Sequence, residues 1–223
     1  MIIQECEDEK QNVEHSSSQE QHKLSLPAGS IYSDDEVIVL GPWQQLRQRF
    51  LSPVAFVLSR LGISANMLSF ASVVFGLGFF LLAPFQFGIA FWLLIASILC
   101  DGLDGVEARL TKTNTATGAF TDMFCDQVVV TFSVAGLAWA GLIHPVLAIL
   151  FVYIYTALVT FLVLHRMQHV SSKGLIRPSR MLLYAAIALY YFFKVDLLNY
   201  LLLFYLLTFP LVVLSFWRLK KAL

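Results

Sequence analysis

The first 40 residues show no hydrophobic periodicity. They are rich in Glu, Gln, Ser and His and hold too little apolar surface to offset the entropy of ordering, so a solvated, disordered acidic tail is predicted over 1–40. No charged segment followed by an apolar run opens the chain, so no cleavable signal peptide is expected. The pattern changes at Gly41. Trp43, Leu46, Phe50, Val54, Val57 and Leu61 recur at spacings of three and four, with Gln44, Arg47, Gln48 and Arg49 between them. This period draws one apolar stripe along a helix, suited to lying in a membrane interface. Six apolar stretches follow, roughly at 63–83, 86–108, 117–141, 145–164, 180–194 and 197–217, each near the ~20 residues that cross a bilayer. The fifth is short and needs Lys194 to snorkel toward water. The predicted fold over 41–223 is an all-α integral membrane domain: six transmembrane helices preceded by an interfacial amphipathic helix.

Composition excludes the soluble alternatives. Of 223 residues, 58% are hydrophobic and 13% charged, whereas a water-soluble domain carries about 45–50% and about 25%. The formal net charge of zero conceals an asymmetry, because nine of the 15 acidic residues precede Gly41 and the remainder of the chain carries 13 basic against six acidic residues. With the N-terminus cytoplasmic, the inner segments receive Arg47, Arg49, Arg60, Arg109, Lys112, Arg166, Lys173, Arg177, Arg180, Arg218, Lys220 and Lys221, and the outer ones only Lys194. By the positive-inside rule both termini are cytoplasmic, and so is the turn after the second span. No nucleic-acid partner is expected.

Within this apolar body lies one knot of carboxylates, DGLDGVEARLTKTNTATGAFTDMFCD, from Asp101 to Asp126. Asp101, Asp104 and Ala108 share one helical face of the second span near its cytoplasmic end, and Gly118, Asp122 and Asp126 form one stripe along the third. The turn between them is expected to set the two helices side by side, so that four carboxylates converge at membrane depth. Each Asp costs about 2.5–3.5 kcal/mol at a helix centre on insertion scales, and four repel one another besides. Either several are protonated or divalent cations sit among them; oxygen-only ligands favour magnesium, manganese or calcium over zinc. Two such ions form a usual clamp for displacement at phosphorus. Gly102, Gly105, Ala108 and Gly118 on the same faces read either as small-residue helix packing or as space for a bulky phosphorylated ligand.

Asp101, Asp104, Gly105, Ala108, Arg109, Gly118, Asp122 and Asp126 fit D-x2-D-G-x2-A-R-x8-G-x3-D-x3-D at every position. That pattern resembles the signature of the CDP-alcohol phosphotransferase family, integral membrane enzymes of phospholipid synthesis, and among them the phosphatidylinositol-phosphate synthase-like members. The looser resemblance runs over about residues 43–217 and implies the same six-helix plan, with homodimers usual. It implies a reaction in which a phosphatidyl group passes from a CDP-linked lipid such as CDP-diacylglycerol to an alcohol, with release of CMP. Asp101, Asp104 and Asp122 then hold a pair of Mg2+ or Mn2+ ions, with Asp126 both near a metal and the general base. Gly105, Ala108 and Arg109 bind the CDP portion. Ile63-Ser64-Ala65-Asn66 resembles the family's usual Thr-Pro-Asn start, which puts Asn66 and Ser69 at the nucleotide, although Ala65 stands where Pro is usual. Gln127 replaces a common basic residue and is expected to leave Asp126 without an adjacent cation. The implied setting is the bacterial cytoplasmic membrane, with the site facing the cytoplasm.

The loop Arg166-Met-Gln-His-Val-Ser-Ser-Lys-Gly-Leu-Ile-Arg-Pro-Ser-Arg180 admits two readings. Its cations are either topogenic, or Lys173, Arg177 and Arg180, joined by Lys112, hold an anionic acceptor, as the resemblance to members using inositol phosphate implies. A polyol phosphate, inositol phosphate before glycerol 3-phosphate, is the favoured acceptor. His165 and His169 read as ordinary polar residues at the mouth of the fourth span rather than as metal ligands. Cys100 and Cys125 read as buried filler, Glu107 as a solvated or minor supporting residue, and Trp43, Trp92, Trp139 and Trp217 as interface anchors. Pro210 is expected to kink the sixth span. Two rival functions remain open: a divalent-cation transporter, and a catalytically silent membrane scaffold.

Overall fold

The structure, a computed structural model, describes residues 50–111, 115–167 and 180–222. The predicted tail, Trp43, Leu46, Lys112, His169, Lys173 and Arg177 lie outside the described residues. Regular structure among the described residues is entirely helical: α1 (Phe50–Arg60), α2 (Ala65–Leu82), α3 (Phe87–Leu110), α4 (Ala116–Trp139), α5 (Pro145–Met167), α6 (Arg180–Phe193), α7 (Leu198–Leu206) and α8 (Phe209–Ala222).

Among the described residues five segments are long and apolar enough to cross a membrane, namely α2, α3, α4, α5 and the stretch Leu198–Lys221 that contains α7 and α8. Phe70, Val74, Ile149 and Phe192 are among many large apolar side chains left exposed, which suits a multi-pass membrane protein. The predicted fifth span is the exception. With 14 residues α6 is about 21 Å long at 1.5 Å per residue, short of the ~30 Å hydrocarbon core. It ends because Lys194 turns into the left-handed region at φ 57°. The ammonium of Lys194 lies over the rings of Tyr190 and Tyr191, 5.5 and 5.9 Å from their centroids, a cation–π contact that holds the charge at the helix end.

The last span is interrupted rather than merely kinked. Pro210 has no N–H to give, and its ring collides with the carbonyl one turn back. The chain answers with tight i→i−3 bonds, Leu207 N–H to Phe204 O at 3.1 Å and Thr208 N–H to Tyr205 O at 3.0 Å, before α8 resumes.

Helix α1 shows which way the predicted stripe faces. Leu51, Ala55 and Leu58 pack on Leu68, Leu103 and Val106 of α2 and α3. Phe50, Val54 and Val57 point away from the protein, the orientation an interfacial helix needs to bury them in lipid. At the other end of the bundle, Asn199 staples the α4–α5 turn: its Oδ1 accepts from His144 N at 2.8 Å and its Nδ2 donates to Leu142 O at 3.3 Å.

The core is organised by α2, which packs along both α3 and α4, while α3 and α4 touch each other only sparsely. The expectation that small residues draw the two acidic helices together is therefore corrected. The close approaches lie on α2, where a Cβ on Gly136 would come 3.0 Å from Phe80 Cα and 3.2 Å from the Phe79 ring. Backbone cannot retreat as a flexible side chain can, so Gly136→Val is expected to destabilise the bundle by about 1–3 kcal/mol. Thermal unfolding in detergent checks this; an unchanged midpoint would show that the seam yields freely.

Candidate active site

Two helices carry the carboxylates. Thr115 caps α4, its Oγ1 accepting from Gly118 N at 3.0 Å, which satisfies one of the free N–H groups of the first turn. A Cβ on Gly118 would lie 3.2 Å from that same oxygen. The glycine therefore makes room for its own cap, a reason the sequence reading did not supply.

From this capped start, α4 presents Asp122 and Asp126 toward α3. Asp101, Asp122 and Asp126 can each offer one carboxylate oxygen with all three within 4.8 Å of one another. Asp104 takes a different place. It is 4% exposed, and its Oδ2 accepts from Ser69 Oγ at 2.6 Å, within electrostatic range of Asp122 and Asp101. Ser69, which the sequence reading put at the nucleotide, ties Asp104 to α2. Asn66 stands exposed one turn nearer the start of α2.

The first residue of α6 completes the cluster. Arg180 forks onto Asp101, Nη1 donating to Oδ1 at 3.2 Å and Nη2 to Oδ2 at 2.8 Å, and it also forms an ion pair with Asp126. This corrects the expectation that Gln127 leaves Asp126 without a cation: the charge arrives from a helix far along the chain. Gln127 turns elsewhere, its Oε1 accepting from Thr156 Oγ1 at 3.2 Å and linking α4 to α5.

Beside the cluster is a small cavity lined by Ser97, Ile98, Asp101, Asp126, Val129, Arg180 and Tyr184. Sequence reasoning missed Ser97 and Tyr184. Both stand four residues from a cluster residue, Ser97 before Asp101 and Tyr184 after Arg180, and so share its helical face. Ser97 Oγ donates to Ser72 O at 2.7 Å, pinning α3 to α2. Tyr184 is buried and faces Ser133 of α4. His165 is fully buried with Nδ1 2.9 Å from Phe161 O and 3.4 Å from Ser215 Oγ, a core residue between α5 and α8. Cys100 and Cys125 are free thiols.

Arg180 brings one positive charge to Asp101 and Asp126, fewer than the four Asp carboxylates of the two helices. The converging donors are all hard oxygens, and such a set fits a magnesium- or manganese-like divalent cation. Gly105, Ala108 and Arg109 occupy the turns of α3 beyond the acids.

A sequence model described as CDP-alcohol phosphatidyltransferase matches residues 62–217. Two curated proteins are similar over 71 residues, both named CDP-diacylglycerol–serine O-phosphatidyltransferase. The one from Helicobacter pylori strain J99 is 41% identical, and the one from strain 26695 is 39% identical. The aligned stretch is 31% of this chain and spans 29% of each relative's length.

Proposed function

The chain belongs to the CDP-alcohol phosphatidyltransferase family, and from that premise we propose that it is a membrane phosphotransferase acting on a CDP-linked lipid such as CDP-diacylglycerol. The hydroxyl oxygen of a small alcohol attacks the β-phosphorus, a new P–O bond forms, the bond to the α-phosphate oxygen breaks, and CMP leaves. Asp126 accepts the hydroxyl proton. Asp101, Asp104, Asp122 and Asp126 would hold two Mg2+ or Mn2+ ions, which when bound would supply charge stabilisation for the diphosphate. Asn66, Gly105, Ala108 and Arg109 bind the nucleotide. The observation that carries this reading is the gathering of Asp101, Asp122 and Asp126 within 4.8 Å, at one helix pair near one end of the bundle. A transporter would distribute its acids along a path, and a silent scaffold has no need to keep them all. In this reading the short α6 is a further, sixth span with Lys194 snorkelling toward water, the basic loops are cytoplasmic, and the site opens on that side.

The test is release of CMP by purified protein given CDP-diacylglycerol and a panel of alcohols. No release with any alcohol, in the presence of Mg2+ or Mn2+, overturns the transferase reading.

For the acceptor, Arg180 beside Asp126 supports a molecule bearing an anionic group, since a guanidinium can fork onto phosphate or carboxylate. A polyol phosphate, inositol phosphate before glycerol 3-phosphate, is the first reading, with Lys112, Lys173 and Arg177 as further contacts. Serine, whose carboxylate Arg180 would meet in the same way, is the second, supported by the names of the two relatives. Arg180→Ala is expected to raise the acceptor KM at least tenfold and, because Arg180 also holds Asp101 and Asp126, to lower kcat, with the KM for the CDP-lipid little changed. Efficient use of choline or unphosphorylated inositol, with no use of phosphorylated polyols or serine, would reject an anionic acceptor and leave the transferase reading standing.

A further inference from the structure

Glu107 belongs to none of the groups described so far. It lies on α3 one turn beyond Asp104 and is 4% exposed. Its Oε2 is sealed from solvent and has no hydrogen-bond partner among the described residues. A buried carboxylate oxygen without a donor is costly, so the position calls for a group that brings an N–H or O–H.

Its place in the bundle narrows that group. Helices α2 and α3 are joined by a short turn and run antiparallel, and the hydrogen bond from Ser69 to Asp104 fixes their register. Three residues back along α2 from Ser69 is Asn66, and three residues on along α3 from Asp104 is Glu107. Both steps lead away from the bundle centre, toward the end where α2 begins and α3 ends. Asn66 and Glu107 therefore form the next rung out from the acid cluster. A CDP-lipid whose diphosphate meets the cluster keeps its acyl chains in the bilayer, so its nucleoside is the part that passes this outer rung. The nucleoside is also the part of the donor that carries N–H and O–H groups, whereas a phosphate there would be repelled.

We propose that Glu107 is a specificity-determining residue that accepts a hydrogen bond from the nucleoside of the lipid donor, at either the cytosine amino group or a ribose hydroxyl. This inference rests on the transferase reading above. The two sources differ in the analogue that betrays them: UDP-diacylglycerol lacks the amino donor, and dCDP-diacylglycerol lacks the 2′-hydroxyl.

The experiment compares wild type, Glu107→Gln and Glu107→Ala in detergent micelles with saturating acceptor and Mg2+, measuring nucleotide release from CDP-, dCDP- and UDP-diacylglycerol. Wild type is expected to prefer CDP-diacylglycerol over at least one analogue by tenfold or more in kcat/KM. Glu107→Ala should raise the KM for CDP-diacylglycerol at least tenfold and lose most of that preference, with kcat and the acceptor KM little changed, whereas Glu107→Gln, whose carbonyl oxygen still accepts, should lose less. The isosteric Gln variant guards against misfolding, checked by its thermal midpoint. Loss of discrimination against UDP- alone identifies the amino contact, and against dCDP- alone the hydroxyl. If Glu107→Ala, folded by its thermal midpoint, keeps both the wild-type KM and the wild-type preference, Glu107 is not a nucleoside contact and the inference falls. If wild type itself releases nothing from any donor, it is the transferase reading that fails, and the inference falls with it.

Discussion

Asp126→Asn is expected to cut CMP release by about 10²-fold or more while leaving binding of the CDP-lipid largely intact. The range is that of losing a positioned general base. Asn matches Asp in size and keeps one carbonyl oxygen, so the helix packing around this 8%-exposed residue should survive. It cannot accept a proton from the attacking hydroxyl, and it surrenders the ion pair with Arg180. Asp101→Asn gives a contrasting pattern, because Asp101 shares the fork of Arg180 and the carboxylate cluster without being assigned the proton: metal and nucleotide binding should weaken together. Steady-state kinetics alongside direct binding of the CDP-lipid separates the two. Near-wild-type turnover by Asp126→Asn would remove the base assignment.

Chelation is expected to abolish activity altogether. Asp101, Asp122 and Asp126 approach within 4.8 Å, with Asp104 within electrostatic range. The single charge of Arg180 is less than that of the cluster, and a doubly charged diphosphate widens the deficit as it approaches. In EDTA, CMP release should therefore fall to background and return on addition of Mg2+ or Mn2+, with Ca2+ a poorer replacement because it prefers more ligands and longer bonds. Full activity in metal-free buffer would falsify the metal-dependent reading.

How much of this was legible in the sequence depended on whether the information was local. Helical periodicity located the starts and ends of α2 to α5 within a few residues, since a run of apolar side chains needs no partner to be recognised. The carboxylates were legible too, because an Asp at membrane depth is conspicuous in any context. Long-range choices were not. Nothing near Asp126 announces Arg180, which reaches it only because α6 starts beside the ends of α3 and α4. Nor does anything near Ser69 announce that its hydroxyl reaches Asp104, a contact set by the register of two antiparallel helices. Glu107 passed for a solvated charge because it falls at a variable position of a motif, and only its burial sets it apart. Pro210 was seen, but whether a proline bends or breaks a span depends on what surrounds it, and here the chain adopts a tighter turn at Leu207 and Thr208.

The sparse contact between α3 and α4 separates two properties that a shared motif would seem to join. The carboxylates are written on the two acidic helices, but the gap between them is gauged by α2, a helix without a single carboxylate, through seams such as Gly76 on Val129 and Gly136 on Phe80. Magnesium and calcium differ by only a few tenths of an ångström in their bonds to oxygen, about the scale on which such a seam shifts when a methyl group is added or removed. Preference among ions of different radius can thus drift through substitutions on α2 that leave every acidic residue untouched, and a search for its determinants confined to the motif would miss them.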